Sequence, residues 1–142
     1  MERLKAEGAI ILGKANLHEL AFGITSNNAY FGPVRNPYNM DYFAGGSSGG
    51  SAASVSARIV RASIGSDTGG SLRIPPALTG VIGYRPSLGR YPEGGVAIIS
   101  PTRDVIGPIA LTMQDITLLD SVMSGQPQVS TPAELGSIRL GI

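Results

Sequence analysis

Two glycine–serine turns carry the residues best suited to chemistry. The first reads Gly45-Gly46-Ser47-Ser48-Gly49-Gly50-Ser51 and the second Gly65-Ser66-Asp67-Thr68-Gly69-Gly70-Ser71. Glycine admits backbone conformations closed to other residues and lets a ligand approach the main chain. A glycine-rich loop opening into a helix leaves N–H groups unpaired and facing outward, where they favour negative charge. Permanent charge makes such a loop a phosphate cradle. Charge that develops only during a reaction makes it an oxyanion hole, and a serine beside it a candidate nucleophile.

The phosphate reading lacks its key residues. A Walker A loop ends in Gly-Lys-Ser/Thr, whereas Gly50 is followed by Ser51, and neither turn contains Gly-x-Gly-x-x-Gly. A flexible Gly/Ser linker is the plain alternative. Linkers, however, do not alternate with core-forming segments, and a helical run and an apolar strand separate these two turns.

A serine needs activation. Ser47 and Ser48 each sit in a Gly-x-Ser-x-Gly pattern, the nucleophile-elbow signature, whose histidine follows the serine. The single histidine, His18, precedes both. Chain order alone leaves open His18, then Asp41 or Asp67, then Ser71; the plainer reading of His18 is an exposed residue on a short helix beside Glu19. Lys14 closes an apolar run, where partial desolvation disfavours the charged amine and a neutral amine can act as general base. Its plain alternative is a strand-end lysine that snorkels to water. The residues alone lead to a hydrolase built on serine and lysine.

Composition narrows the rest. At 142 residues the chain is long enough for one domain with a core, and 42% apolar residues suit a soluble globular protein. A net charge of +1, with scattered basic residues, offers nothing to nucleic acid. No apolar run is long enough for a membrane span, and the charged start Met1-Glu2-Arg3-Leu4-Lys5 is unlike a signal peptide. Without cysteine there are no disulfides, thiolate chemistry or cysteine metal sites, which fits a reducing, cytoplasmic setting.

The positioning elements follow from pattern. Met1–Glu7 reads as the tail of a helix ended by Gly8. Ala9-Ile10-Ile11-Leu12-Gly13 reads as a strand buried on both faces of a largely parallel sheet. Asn16 caps one or two helical turns over Leu17–Phe22. Gly23–Phe43 is expected to form a long ordered loop around a site, anchored by Tyr30, Phe31, Tyr38, Tyr42 and Phe43. Ser51–Ile59 reads as a helix and Ile59–Ile64 as a strand. A short helix from Gly70 to about Ile74 is expected to be limited by Pro75 and Pro76.

Gly80–Tyr84 reads as another buried strand, and Arg85–Ser100 as turns with a small hairpin bent at Glu93-Gly94-Gly95. Ile106–Ala110 is extended, and Thr112 caps a helix to about Met123 with Asp115 in its first turn. Ser124–Thr131 is a polar linker and Ser137–Ile142 a strand. The alternation predicts an α/β fold, a mixed and mostly parallel sheet flanked by helices. Opening inside a helix and closing inside a strand, residues 1–142 read as one partial domain truncated at both ends. Sheet edges left exposed that way could drive homo-oligomer formation.

At these residues the chain resembles the amidase signature family. The resemblance rests on Gly13-Lys14, Gly45–Ser51 and Gly65-Ser66-Asp67-Thr68-Gly69-Gly70-Ser71-Leu72-Arg73-Ile74-Pro75, with Phe31–Pro37 and Gly107-Pro108-Ile109 beyond them. The two serines stand 71 − 47 = 24 positions apart, as in the family pattern. The resemblance implies a Ser–cisSer–Lys triad acting on a small-molecule amide without metal or cofactor. Ser71 would attack the amide carbonyl, Ser47, after a cis peptide, would relay protons, and Lys14 would be the base. N–H groups of Thr68, Gly69, Gly70 and Ser71 would hold the oxyanion. Ser48, Asp67 and Arg73 would support the site.

Arg85–Pro92 and His18–Gly23 look most like mandelamide- and indoleacetamide-type members. The A-type subunit of the tRNA-dependent amidotransferases is the alternative. Because the family's catalytic domain is far longer, a catalytically incomplete fragment that needs a partner is the other.

Overall fold

The computed structural model describes residues 1–127 and 134–139. Its centre is a three-stranded sheet of β5 (Ala62–Asp67), β6 (Ile82–Gly83) and β7 (Val105–Ala110), in the order β5-β7-β6. Strand β7 pairs antiparallel with both neighbours, from Ala62 opposite Ala110 to Asp67 opposite Val105 on one side, and with Ile82 opposite Ala110 on the other. The α/β class therefore stands, but these pairings are antiparallel where a mostly parallel sheet was expected. The reason is topological. Helix α3 (Ile74–Thr79) crosses between β5 and β6 and leaves them parallel to each other, and β7 then inserts between them.

Residues alternate across β7, so each face of the sheet acquires its own core. Val105 and Ile109 pack with Leu72 and with Ala52 and Val55 of α2 (Gly49–Ser56). Ile106 faces the other way, toward a cluster of Leu4, Tyr91 and Met123 with Ile64, Tyr84, Leu119 and Val122. Leu4 belongs to α1 (Glu2–Ala6) and the last residues to α4 (Met113–Ser124). Thr112 caps α4 as its type predicts: its hydroxyl accepts the Asp115 N–H at 3.1 Å, and Gly125 closes the helix at φ +70°.

Several expectations need correction. Pro75 and Pro76 begin α3 instead of ending a helix, because proline lacks only an N–H that the first turn leaves unpaired anyway. Strand β5 starts at Ala62, three residues later than the apolar run at Ile59 suggests. Residues 9–13 form no strand: Ile10 is 85% and Leu12 71% exposed, and no strand lies beside them among the described residues. An apolar run becomes a buried strand only when a neighbour pairs with it.

The Gly23–Phe43 loop contains two small antiparallel pairs, β1 (Asn27–Asn28) with β2 (Gly32–Pro33) and β3 (Arg35–Asn36) with β4 (Asn39–Phe43). Its five aromatic residues are exposed, so they do not anchor it. Asparagine does. The Asn28 carboxamide oxygen accepts the N–H groups of Tyr30 and Phe31, Asn36 accepts that of Tyr38, and Asn39 that of Asp41. The bend at Glu93 is a turn, with Val96 N–H on the Glu93 carbonyl, and no strand pair flanks it. Leu135–Ser137 is a single 3-10 turn, and the rest of the strand expected there, from Leu140 on, lies outside the described residues, as do 128–131 of the linker.

Candidate active site

The two serine turns meet along the outer edge of β5. Ser48 is the N-cap of α2, and its hydroxyl donates to the Ser66 carbonyl and accepts the Ser66 N–H, both at 3.1 Å. One turn of helix further, the Ser51 hydroxyl donates to the Ile64 carbonyl at 2.9 Å. Ile64 and Ser66 are alternate residues of one strand, so at these positions helix serines occupy the edge that pairing with another chain would need. A Cβ at Gly65 would stand 2.8 Å from the Ser48 hydroxyl, so only glycine admits so close an approach.

The second turn is shaped by a buried carboxylate. Asp67, fully buried at the end of β5, accepts the Gly70 N–H (2.9 Å) and the Leu72 N–H (3.0 Å). Arg73 grips both of its oxygens at 3.0 and 3.1 Å, and Arg85 reaches its side chain at 3.2 Å and its carbonyl at 2.8 Å. Burial by itself pushes this carboxyl up. The Arg73 hydrogen bond, the two N–H donors and the Arg73 charge outweigh it and hold the group below the usual carboxylate range. Asp67 and Arg73 thus fix the turn. Arg85 was missed, because nothing in Tyr84-Arg85-Pro86 says that its side chain returns to Asp67.

This arrangement revises the donor set. The Gly70 N–H is committed to Asp67, which leaves the N–H groups of Thr68, Gly69 and Ser71 with no protein acceptor among the described residues. Gly70 turns the chain at φ +138°, a region that favours glycine. Ser71 follows at the half-exposed rim. Thr68 is steadied from the side: its hydroxyl donates to Asp104, whose other oxygen accepts the N–H groups of Ile99 and Ser100.

Ser47 is buried and follows a cis Gly46–Ser47 peptide bond. Its carbonyl accepts two hydrogen bonds, from the His18 N–H at 3.0 Å and the Ser26 hydroxyl at 3.1 Å. Asn16 docks beside them, its carbonyl accepting the Gly50 N–H at 3.0 Å. The segment after Lys14 is thus held against the first turn, yet Lys14 itself is exposed and makes no hydrogen bond to Ser47 among the described residues. Residues 9–13 form no strand here, so the desolvation expected at a strand end is not seen at Lys14 among the described residues. Nor do the hydroxyls of Ser47 and Ser71 bond each other here.

His18 takes no part in a triad. Its ring faces the Thr25 hydroxyl (3.4 Å) and lies over Gly23, and Asp67 is occupied by its two arginines. No group of three or more histidine, aspartate or glutamate residues able to hold a metal occurs among the described residues. No helix described is long and apolar enough to cross a membrane.

The α/β fold thus carries a buried serine after a cis peptide, a half-exposed second serine beside N–H groups with no protein acceptor among the described residues, and a carboxylate-braced glycine turn between them in the chain. Residues 1–135 match the Amidase family model, and the chain belongs to that family. It is 50% identical over 141 residues to the indoleacetamide hydrolase of Rhizobium radiobacter, covering 99% of this chain and 30% of the relative. It is also 50% identical over 147 residues to the mandelamide hydrolase of Pseudomonas putida, covering 100% and 29%. Among solved structures, the A-type subunit of the Glutamyl-tRNA(Gln) amidotransferase of Thermotoga maritima superposes with a TM-score of 0.85 at 44% identity, over 89% of this chain and 28% of that one. The chain thus spans about three-tenths of the length of the curated relatives it matches.

Proposed function

We propose that the chain carries the serine part of an amidase site that hydrolyses a carboxamide to carboxylate and ammonia. Ser71 attacks the amide carbonyl and passes its proton to Ser47, which hands its own proton to the Lys14 amine. The tetrahedral oxygen forms beside the N–H groups of Thr68, Gly69 and Ser71, each such donor lowering the barrier by about 3–4 kcal/mol. Ser47 then delivers a proton to the departing amine, leaving an acyl ester on Ser71 that water cleaves. Lys14 takes the base's part in this reading, supported by the family match over residues 1–135.

The observation carrying this reading is the half-exposed Ser71 beside three N–H groups that have no protein acceptor among the described residues. Arylacetamides are the proposed substrate class, supported by the similarity to indoleacetamide and mandelamide hydrolases. A cytoplasmic setting goes with it, since a chain without cysteine asks nothing of an oxidising compartment. A fluorophosphonate probe tests the reading. Labelling at Ser71 that disappears in Ser71→Ala and falls in Ser47→Ala supports it, and a folded chain that takes no label is the inert fragment instead. The likeness to the amidotransferase subunit supports a second reading, an A-type subunit of a tRNA-dependent amidotransferase, to which a chain labelled at Ser71 that turns over no arylacetamide would point.

A further inference from the structure

We infer that Ser26 is a positioning residue for the relay serine, an inference that rests on the proposed role of Ser47. Ser26 is completely buried, and its hydroxyl is fully used: it donates to the Ser47 carbonyl at 3.1 Å and accepts the Gly49 N–H at 3.1 Å. One side chain therefore clamps the main chain on both sides of Ser48, joining the peptide after the relay serine to the first residue of α2.

The fit around it is tight. A Cβ on Gly46 would stand 2.8 Å from the Ser26 nitrogen, and one on Gly49 would stand 2.3 Å from its hydroxyl oxygen. Ser26 is itself held from behind, because its carbonyl accepts the Val34 N–H at 3.0 Å. Its φ of +52° lies in the left-handed region that non-glycine residues seldom adopt, so the backbone bends to bring this hydroxyl inward. The first turn contributes no side chain of its own to hold the Ser47 peptide. Among the described residues that carbonyl has only the His18 N–H and Ser26, so loss of the hydroxyl frees it to shift while the Ser48–Ser66 tie keeps the turn in place.

The role is separable from plain stability. A relay serine must deliver a proton to an amine leaving group, whereas p-nitrophenolate departs without one. Displacing Ser47 therefore harms amide turnover more than turnover of the p-nitrophenyl ester of the same acyl group. A loss of folded protein harms both alike. A misplacement of ~1 Å costs on the order of 100-fold in rate.

The test compares Ser26→Ala, Ser47→Ala and the unaltered full chain with phenylacetamide and p-nitrophenyl phenylacetate, alongside hydrogen exchange at the Gly49 amide. The expected result for Ser26→Ala is an amide-to-ester ratio of kcat lowered about 10-fold or more, with KM little changed and faster exchange at Gly49. An unchanged ratio in Ser26→Ala with a lowered ratio in Ser47→Ala overturns the role of Ser26 and leaves the relay intact. An unchanged ratio in both overturns the relay and, with it, this inference.

Discussion

The Ser48 hydroxyl and the Ser66 backbone exchange two hydrogen bonds of 3.1 Å, one in each direction. A side chain here does what a neighbouring strand would do, satisfying N–H and C=O of the same residue at the edge of β5. The pair also fastens the turn holding Ser47 to the strand that delivers Ser71.

Ser48→Ala breaks that fastening and leaves two backbone groups short of partners. Stability is expected to fall by about 1–3 kcal/mol, read from urea unfolding monitored by circular dichroism. Labelling of Ser71 by a fluorophosphonate slows as well, since the two turns no longer keep their distance. Wild-type stability in Ser48→Ala would mean that the edge finds its partners in water.

Lys14→Ala is expected to slow probe labelling of Ser71 by about 100-fold or more, because the amine that takes the relayed proton is gone. Labelling kept within about 3-fold would remove Lys14 from the base's role.

Asp67 links acid to the second turn. Its carboxyl lies below the usual range in the folded chain and near 3.9, roughly, in the unfolded one. The stabilisation it supplies is therefore complete above the unfolded value and is lost as pH falls through the folded one. Asp104, pushed up by burial but held low overall by Thr68 and by the Ser100 and Ile99 N–H groups, acts in the same direction. Thermal midpoints are expected to drop below about pH 4, and more shallowly in Asp67→Asn than in the wild type. At neutral pH, Asp67→Asn costs roughly 2–4 kcal/mol, under the fully buried limit because the Arg73 side chain is 56% exposed.

Leu72 connects the turn to the core. It is fully buried among Ala52, Val55, Val105 and Ile109 directly after Ser71, and Leu72→Ala is expected to cost about 2–5 kcal/mol in denaturant unfolding. Loss of labelling in step with loss of fold is the accompanying result.

What could be read beforehand depended on how local the physics is. Thr112 with Asp115 is a capping pair contained in four residues, and the structure has it. The glycines of both turns announce close approach in their own composition. Ser26 and Arg85 could not be found that way. Their meaning lies in partners 21 and 18 positions distant, a contact that no local pattern states. Ile10 and Leu12 misled for the converse reason: hydrophobicity records a tendency to be covered, while a strand needs a neighbour to be covered by. The same gap leaves the Lys14 side chain exposed.

A Cβ placed on Gly50, Gly83 or Gly107 would come within 2.2 Å of a carbonyl oxygen, of Asn16, Leu72 and Tyr84 respectively. Together with Gly65 these positions form a mould with no slack. An engineer seeking altered selectivity would gain little by diversifying it. The exposed side-chain positions Tyr30, Tyr38 and Tyr42, which stand clear of the core and apart from the Ser26 clamp of the same loop, are better placed to take new side chains without disturbing the serines.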